Sequence, residues 1–331
     1  MHKNRILVCF IFAVMVLVLA AGCSKGSAEK EAPKAETQKT LSIATGGSGG
    51  TYFVIGSGIA KLVEQYLPGY KLVVQSTAAS TENTRLVGTR KVDFAITMPD
   101  SAFFGMKGER EFQGNEKYEK LRAVVSGHTS VLQGLVLEKS PIKSMADLKG
   151  KKVALSAPSS PSMYVAMAAL EAYGLKEGDY KPVFLSYAEM AEAVKNGSID
   201  CGFVFAGVPT SSVMDLTTTT NIRILGMEEN KADEILKKYP YFSKGKIPAN
   251  TYKGQTNDLW VLTAPAILIT HAEVSEEVVY NITKVILEHT KEMGEIHPAG
   301  LEWNLEDANQ GVAIELHPGA SKYLKEKGVI K

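Results

Sequence analysis

Apolar positions along the chain alternate between short continuous runs and stretches with helical spacing. The first run, Leu41 to Ile43, meets a loop of small residues, Ala44-Thr45-Gly46-Gly47-Ser48-Gly49-Gly50-Thr51-Tyr52. Beyond it Tyr52, Ile55, Ile59, Leu62, Val63 and Tyr66 fall on one helical face. This predicts strand, glycine-rich loop and helix, the helix ending at Leu67-Pro68-Gly69-Tyr70. A strand over Lys71 to Gln75 leads into Ser76-Thr77-Ala78-Ala79-Ser80-Thr81-Glu82-Asn83, where Ser80 suits a helix cap and Glu82 its positive first turn. A helix to Val87, a turn at Gly88 and a strand over Val92 to Met98 follow. Pro99 to Glu119 has no usable period, and strands are predicted at Leu121 to Ser126 and Val131 to Leu137.

The same grammar returns after residue 135. Ser144 to Val153 reads as a one-turn helix and the opening of a fresh sheet, Lys152 to Leu155 as a strand, and Ser160-Pro161 as cap and first position of a helix running to Tyr173 before Gly174. A strand at Val183 to Leu185, a helix over Glu189 to Lys195 and a strand over Gly202 to Phe205 follow. Pro209 is expected to start the next helix, ahead of a strand at Ile222 to Leu225 and a helix ending at Tyr239-Pro240. Lys246 to Gln255 reads as loop, Leu259 to Ile269 as a return strand and Ser275 to Met293 as one long helix. Leu86 to Ala95 and Val194 to Phe203 share a helix end, a glycine turn and an apolar-Asp pair opening a strand. Such alternation predicts an α/β protein of two similar lobes, each a mostly parallel sheet flanked by helices.

Ligands of such sheets sit beyond the carboxyl ends of the strands. There each lobe offers a serine-rich helix entrance, and the cleft between them is expected to close on a ligand by hinge motion. The Gly46 to Gly50 loop lets backbone approach closely, and the helix behind it presents unpaired N–H groups, which together predict half of a small-anion site. The candidate contacts are Gly47, Ser48, Gly49, Thr51, Tyr52, Ser76, Thr77, Ser80 and Met98 in the first lobe and Ser159, Ser160, Ser162 and Gly207 in the second. A phosphate-binding Walker loop would need Gly-Lys-Ser/Thr, and the dinucleotide fingerprint would need a third glycine where Tyr52 stands. Gly56-Ser57-Gly58 falls inside a predicted helix rather than at a nucleophile elbow. His271, His289, His297 and His317 show no metal-ligand spacing. No catalytic residue, metal or cofactor is expected.

The composition, 45% hydrophobic and 22% charged, excludes a disordered chain. Residues 1–22 stand apart: Lys3 and Arg5 precede an apolar run from Ile6 to Ala21, the pattern of an export signal. Leu19-Ala20-Ala21-Gly22-Cys23-Ser24 resembles a bacterial lipoprotein cleavage site, which implies lipidation of Cys23 and a membrane-tethered, extracytoplasmic protein. Residues 23–39 read as a flexible tether. Removing Lys3 and Arg5 with the signal turns the formal charge of +1 into −1, which leaves no basic footprint for nucleic acid. Cys9 leaves with the signal and Cys201 is then alone, so no internal disulfide is expected. A monomer is expected.

The mature chain, about residues 40 to 328, resembles the TAXI branch of solute-binding proteins that serve TRAP transporters. The resemblance rests on Thr45 to Tyr52, on Gln75 to Asn83, on Ile142-Lys143-Ser144 with Asp147 to Lys151, on Ile247 to Tyr252 and on Leu316-His317-Pro318-Gly319-Ala320. It implies the two-lobed type II periplasmic binding protein fold. Lobe I would span 40–134 and 257–331, and lobe II 135–256. It also implies a small carboxylate ligand, such as an amino acid (glutamate or glutamine) or a dicarboxylate, delivered without catalysis to TRAP membrane subunits, fused or separate. Ser159-Ser160-Pro161-Ser162 departs from the glycine-containing loop common in that branch. The alternative is a ligand-sensing lipoprotein that signals to a membrane histidine kinase; an enzyme on the same fold is a third class.

Overall fold

β1 (Lys39–Ala44) opens the first half, followed by α1 (Thr51–Tyr66), β2 (Tyr70–Gln75), α2 (Ser80–Gly88), β3 (Phe94–Thr97) and α3 (Pro99–Lys107). The computed structural model describes residues 38–114, 117–239 and 242–331. The expected signal peptide, Cys23 and all but the end of the tether lie outside the described residues. β4 (Leu121–Leu137) carries the chain into the second half, which contains β5 (Lys152–Leu155), α4 (Pro161–Ala172), β6 (Lys181–Phe184), α5 (Tyr187–Lys195), β7 (Cys201–Ala206), α6 (Ser211–Thr219), β8 (Ile222–Leu225), α7 (Glu229–Lys238) and β9 (Ser243–Ile247). β10 (Leu259–His271) returns, and α8 (Glu276–Glu288), α9 (Thr290–Ile296) and α10 (Pro318–Glu326) complete the first half. Ile55, Ile59 and Leu62 of α1, Val279, Ile282 and Ile286 of α8 and Tyr323 of α10 share one buried core with Trp303.

The ten strands among the described residues form one mixed sheet with main order β2-β1-β3-β10-β4-β7-β5-β6. The expected parallel pairs are there, β1 beside β2 and β3, and β5 beside β6 and β7. Between them run β4 and β10, antiparallel to each other and to their neighbours. β4 changes partner from β10 to β7 between Ser130 and Val131, and β10 leaves β9 after Thr263, pairs with β4 from Ala264 and with β3 from Ile267. The repeated apolar-Asp pair has a shared job. The Asp93 carboxylate accepts the Ser42 N–H of β1, and the Asp200 carboxylate accepts the Lys152 N–H of β5, each at 2.8 Å and each one residue before the strands pair.

Several sequence-based boundaries are corrected. β4 is a single strand of 17 residues rather than two. Its polar middle is satisfied from far along the chain, Thr129 N–H by the Glu302 carboxylate (2.8 Å) and His128 Nδ1 by the Trp303 indole N–H (3.1 Å). The helix expected over Ser275 to Met293 breaks at His289, whose ring stacks on Tyr66 at 3.6 Å while the Thr290 hydroxyl donates to the Trp303 carbonyl. Pro99 to Glu119, left unassigned by the pattern, contains α3 and a 3-10 turn at Arg110–Phe112. The loop expected from Lys246 starts inside β9, where Lys244 and Lys246 hide the strand signal while resting over Trp260. Pro209 does not start α6; Thr210 stands between them as its cap position.

Candidate functional site

Loops at the carboxyl ends of β1, β2, β5 and β6 enclose a cavity of about 580 Å³ between the two halves, with Phe205 and Ala206 of β7 and Met98 after β3 in its wall. The N-termini of α1, α2, α4 and α5 converge on it, and Met98 is the cap position of α3. Each such end carries unpaired amides and a partial positive charge.

These ends differ in how they are satisfied. The α1 cap position is Gly50, with no side-chain cap and no acidic residue in the first turn. That of α2 is Ala79, which also provides no cap, held at φ 68° in the left-handed region that non-glycine residues rarely adopt. Ser80 is not the cap expected from the sequence: it is the first helical residue, and its buried hydroxyl accepts the Met98 N–H at 3.2 Å. The Glu82 carboxylate accepts the Ala78 N–H at 2.6 Å. In the second half the Ser160 hydroxyl accepts the Met163 N–H (3.2 Å), and Ser186 with Glu189 forms a reciprocal capping box on α5.

A buried network supports the first half's loops. Asn83 donates to the carbonyls of Thr45 (2.5 Å) and Ile96 (2.7 Å), the Thr77 hydroxyl lies 2.6 Å from Asn83 Oδ1, and Ser76 donates to the Gly46 carbonyl at 3.0 Å. Bonds also cross between halves: Thr51 hydroxyl to Gly207 carbonyl (2.7 Å), Ser212 N–H to Gly49 carbonyl (3.2 Å), Thr81 hydroxyl to Ser159 carbonyl (3.2 Å) and His297 Nε2 to Pro209 carbonyl (2.8 Å). Ser159, at φ 59°, is a second strained residue, so the Thr81 bond joins it to the start of α2.

Burial raises the Tyr52 phenol well above its usual range, with the Ser80 and Ser130 hydroxyls beside it. Behind it burial pushes Asp100 up to about 6, and it drives His128 down to about 3. His128 is fully buried; Nδ1 accepts from Trp303, so the neutral ring carries its proton on Nε2, which has no partner among the described residues. The Tyr187 hydroxyl donates to the Phe205 carbonyl at 2.7 Å. The Ser156 hydroxyl, beside that phenol, is buried in the wall without a well-formed hydrogen bond among the described residues.

Eleven of the thirteen residues named from the sequence line the cavity: Gly47, Ser48, Gly49, Thr51, Tyr52, Ser76, Thr77, Ser80, Met98, Ser160 and Ser162. Ser159 and Gly207 stand outside it. Their carbonyls take the Thr81 and Thr51 hydroxyls, and a Cβ on Gly207 would come within 2.7 Å of the His128 ring. Sequence reasoning missed Tyr187, Ser156 and Phe184. The Ser186-x-x-Glu189 capping box would have put the α5 entrance, and Tyr187 with it, at the cavity. Gly56 and Gly58 are packing residues of α1, against Thr45 and Met293, and the Ser57 hydroxyl donates to the Phe53 carbonyl. Among the described residues no group of three or more His, Cys, Asp or Glu is placed to hold a metal.

A profile of the NMT1-like family matches residues 43–328. A curated protein of Escherichia coli (strain K12), named for binding aliphatic sulfonates, is 46% identical over 66 residues, a stretch that spans 20% of this chain and 20% of that protein. Among solved structures, the alkanesulfonate-binding protein SsuA from Xanthomonas axonopodis pv. citri bound to MOPS superposes with a TM-score of 0.51 at 18% identity, over 88% of this chain and 85% of that one. A protein from Bordetella bronchiseptica RB50 gives 0.52 at 18% identity, over 88% and 89%. At such identities the likeness speaks to the fold alone, the type II periplasmic binding protein fold expected from the sequence. The chain belongs to the NMT1-like family and has the architecture of solute-binding proteins.

Proposed function

We propose that the protein is an extracytoplasmic receptor that closes lobe I (40–134 and 257–331) and lobe II (135–256) on a small organic anion and passes it, unaltered, to a membrane permease. The observation that carries this reading is the convergence of helix N-termini on one cavity of about 580 Å³, with the α1 end uncapped behind a glycine loop. Backbone N–H groups aimed at one point, backed by a helix dipole, hold an anion without a neutralising cation. The five motifs shared with the TAXI branch support a carboxylate ligand and TRAP membrane subunits as partners. The names of the Escherichia coli and Xanthomonas proteins favour a second ligand class, a sulfonate, which the same donors would hold. Tethering through a lipid on Cys23 belongs to the same reading; Cys23→Ala protein should bind as before and leave the membrane fraction.

Native mass spectrometry of protein purified without refolding tests the reading. A bound species of small mass, released on unfolding and carrying a carboxylate or sulfonate, is expected. A cationic or uncharged adduct in its place would refute it.

A further inference from the structure

The cavity wall carries no charged side chain among the described residues. Its 26 lining residues include no Asp, Glu, Lys, Arg or His among the described residues. Asp100, whose charge Tyr52 feels, is not in the wall, and its carboxylate is engaged by the Ser101 N–H at 2.8 Å. Four carbonyls of the lining residues are engaged within the protein. Gly46 accepts from Ser76, Gly47 from Gly50, Gly49 from Ser212 and Phe205 from Tyr187. A ligand ammonium would therefore lose water and meet no carboxylate, which is costly for a desolvated charge.

The same accounting limits the number of anionic groups. Of the five helix ends at the cavity, those of α2, α3 and α5 already carry an acidic first-turn residue, Glu82, Asp100 and Glu189, and those of α4 and α5 are capped by Ser160 and Ser186. Only α1 has neither cap nor acid. A helix end supplies about half a positive charge, enough to favour one anionic group and too little for two. Between its hydroxyl-bearing residues the wall also offers Met98, Pro158, Phe184, Leu185 and Phe205, uncharged surface suited to hydrocarbon.

We propose that the cavity takes an organic monoanion with an uncharged, apolar body, and discriminates against both zwitterionic amino acids and dicarboxylates of the same chain length. This rests on the anion-receptor reading and narrows it, against the amino-acid or dicarboxylate ligand implied by the TAXI resemblance.

Four probes of one chain length test it by titration calorimetry on the folded mature protein after removal of any bound ligand: octanoate, 2-aminooctanoate, suberate and octanamide. Octanoate should bind at least about tenfold more tightly than each of the others, since each adds an unmatched charge or removes the matched one. Equal or tighter binding of 2-aminooctanoate or suberate overturns the inference and leaves an anion receptor standing. Octanamide binding as tightly as octanoate overturns both, because the cavity would then respond to the hydrocarbon alone. Absence of octanoate binding at millimolar concentration overturns the inference too.

Discussion

The two halves answer the same question differently at equivalent places. β1 and α1 are joined by Thr45 to Gly50, and β5 and α4 by Ser156 to Ser160; β2 meets α2 through Ala79, and β6 meets α5 through Ser186. In the second half both helices are capped by their own serines, and in the first half neither has a side-chain cap. Serine caps are common because they satisfy an otherwise orphaned amide. Leaving the α1 amides without a cap at a cavity is sensible where a ligand supplies the acceptor. On the proposed reading the first half provides the binding groups, and the second, its α4 and α5 ends already capped, is a wall that closes over them through the Thr51, Ser212 and Thr81 bonds.

The comparison breaks most sharply at Gly49. A Cβ there would stand 3.1 Å from Ser212 Cβ and 3.2 Å from the Ala188 nitrogen, so a valine wedges the halves apart as well as crowding the loop. Gly49→Val should weaken anion binding by on the order of 3 kcal/mol, about a hundredfold, in a protein that still folds but melts at a lower temperature. Unchanged affinity in folded Gly49→Val protein would make the loop a mere turn.

The junction can be probed without touching a helix end. His128 titrates near 6.5 unfolded and is held down to about 3 by burial, so the native state binds fewer protons between those values. Its contribution to stability is complete above about pH 6.5 and is lost as the pH falls toward 3. Between pH 6.5 and 5 the loss is about 2 kcal/mol at most. His128→Gln, which retains an acceptor for Trp303, should flatten the slope of melting temperature against pH over that interval. An unaltered slope would mean that other groups govern acid lability.

Exchanging the caps gives the smallest effects and the clearest contrast. Ser160→Ala should cost about 1 kcal/mol of stability, read by denaturant melts, with little change in affinity. Gly50→Ser, whose Cβ would stand 3.3 Å from the Tyr187 ring, should leave stability little changed while its hydroxyl competes for an α1 amide and weakens binding roughly fivefold. Equal effects of both on affinity would erase the distinction between the halves.

How much of this was legible depended on range. The Gly46 to Gly50 loop, the Ser160-Pro161 helix start and the paired Asp93 and Asp200 turns are written in neighbouring residues, and the alternation of strand and helix and eleven of the 26 lining residues were legible at that range. What failed depended on partners distant in sequence. Ser80 looked like a cap until β3 put the Met98 amide against its hydroxyl. The polar middle of β4 looked like a break until Glu302 and Trp303 satisfied it. Ser159 and Gly207 looked available until Thr81 and Thr51 took their carbonyls from across the cleft.

The central claim, that the first half's open helix end holds the anion, is tested most directly by amide NMR on ¹⁵N-labelled mature protein titrated with octanoate. The amides of Thr51 and Tyr52, which have no acceptor among the described residues, should show the largest downfield proton shifts and saturate with one affinity. The Met163 and Glu189 amides, already bonded to Ser160 and Ser186, should move little. Shifts concentrated at Met163 and Glu189, with Thr51 and Tyr52 unmoved, would contradict the account.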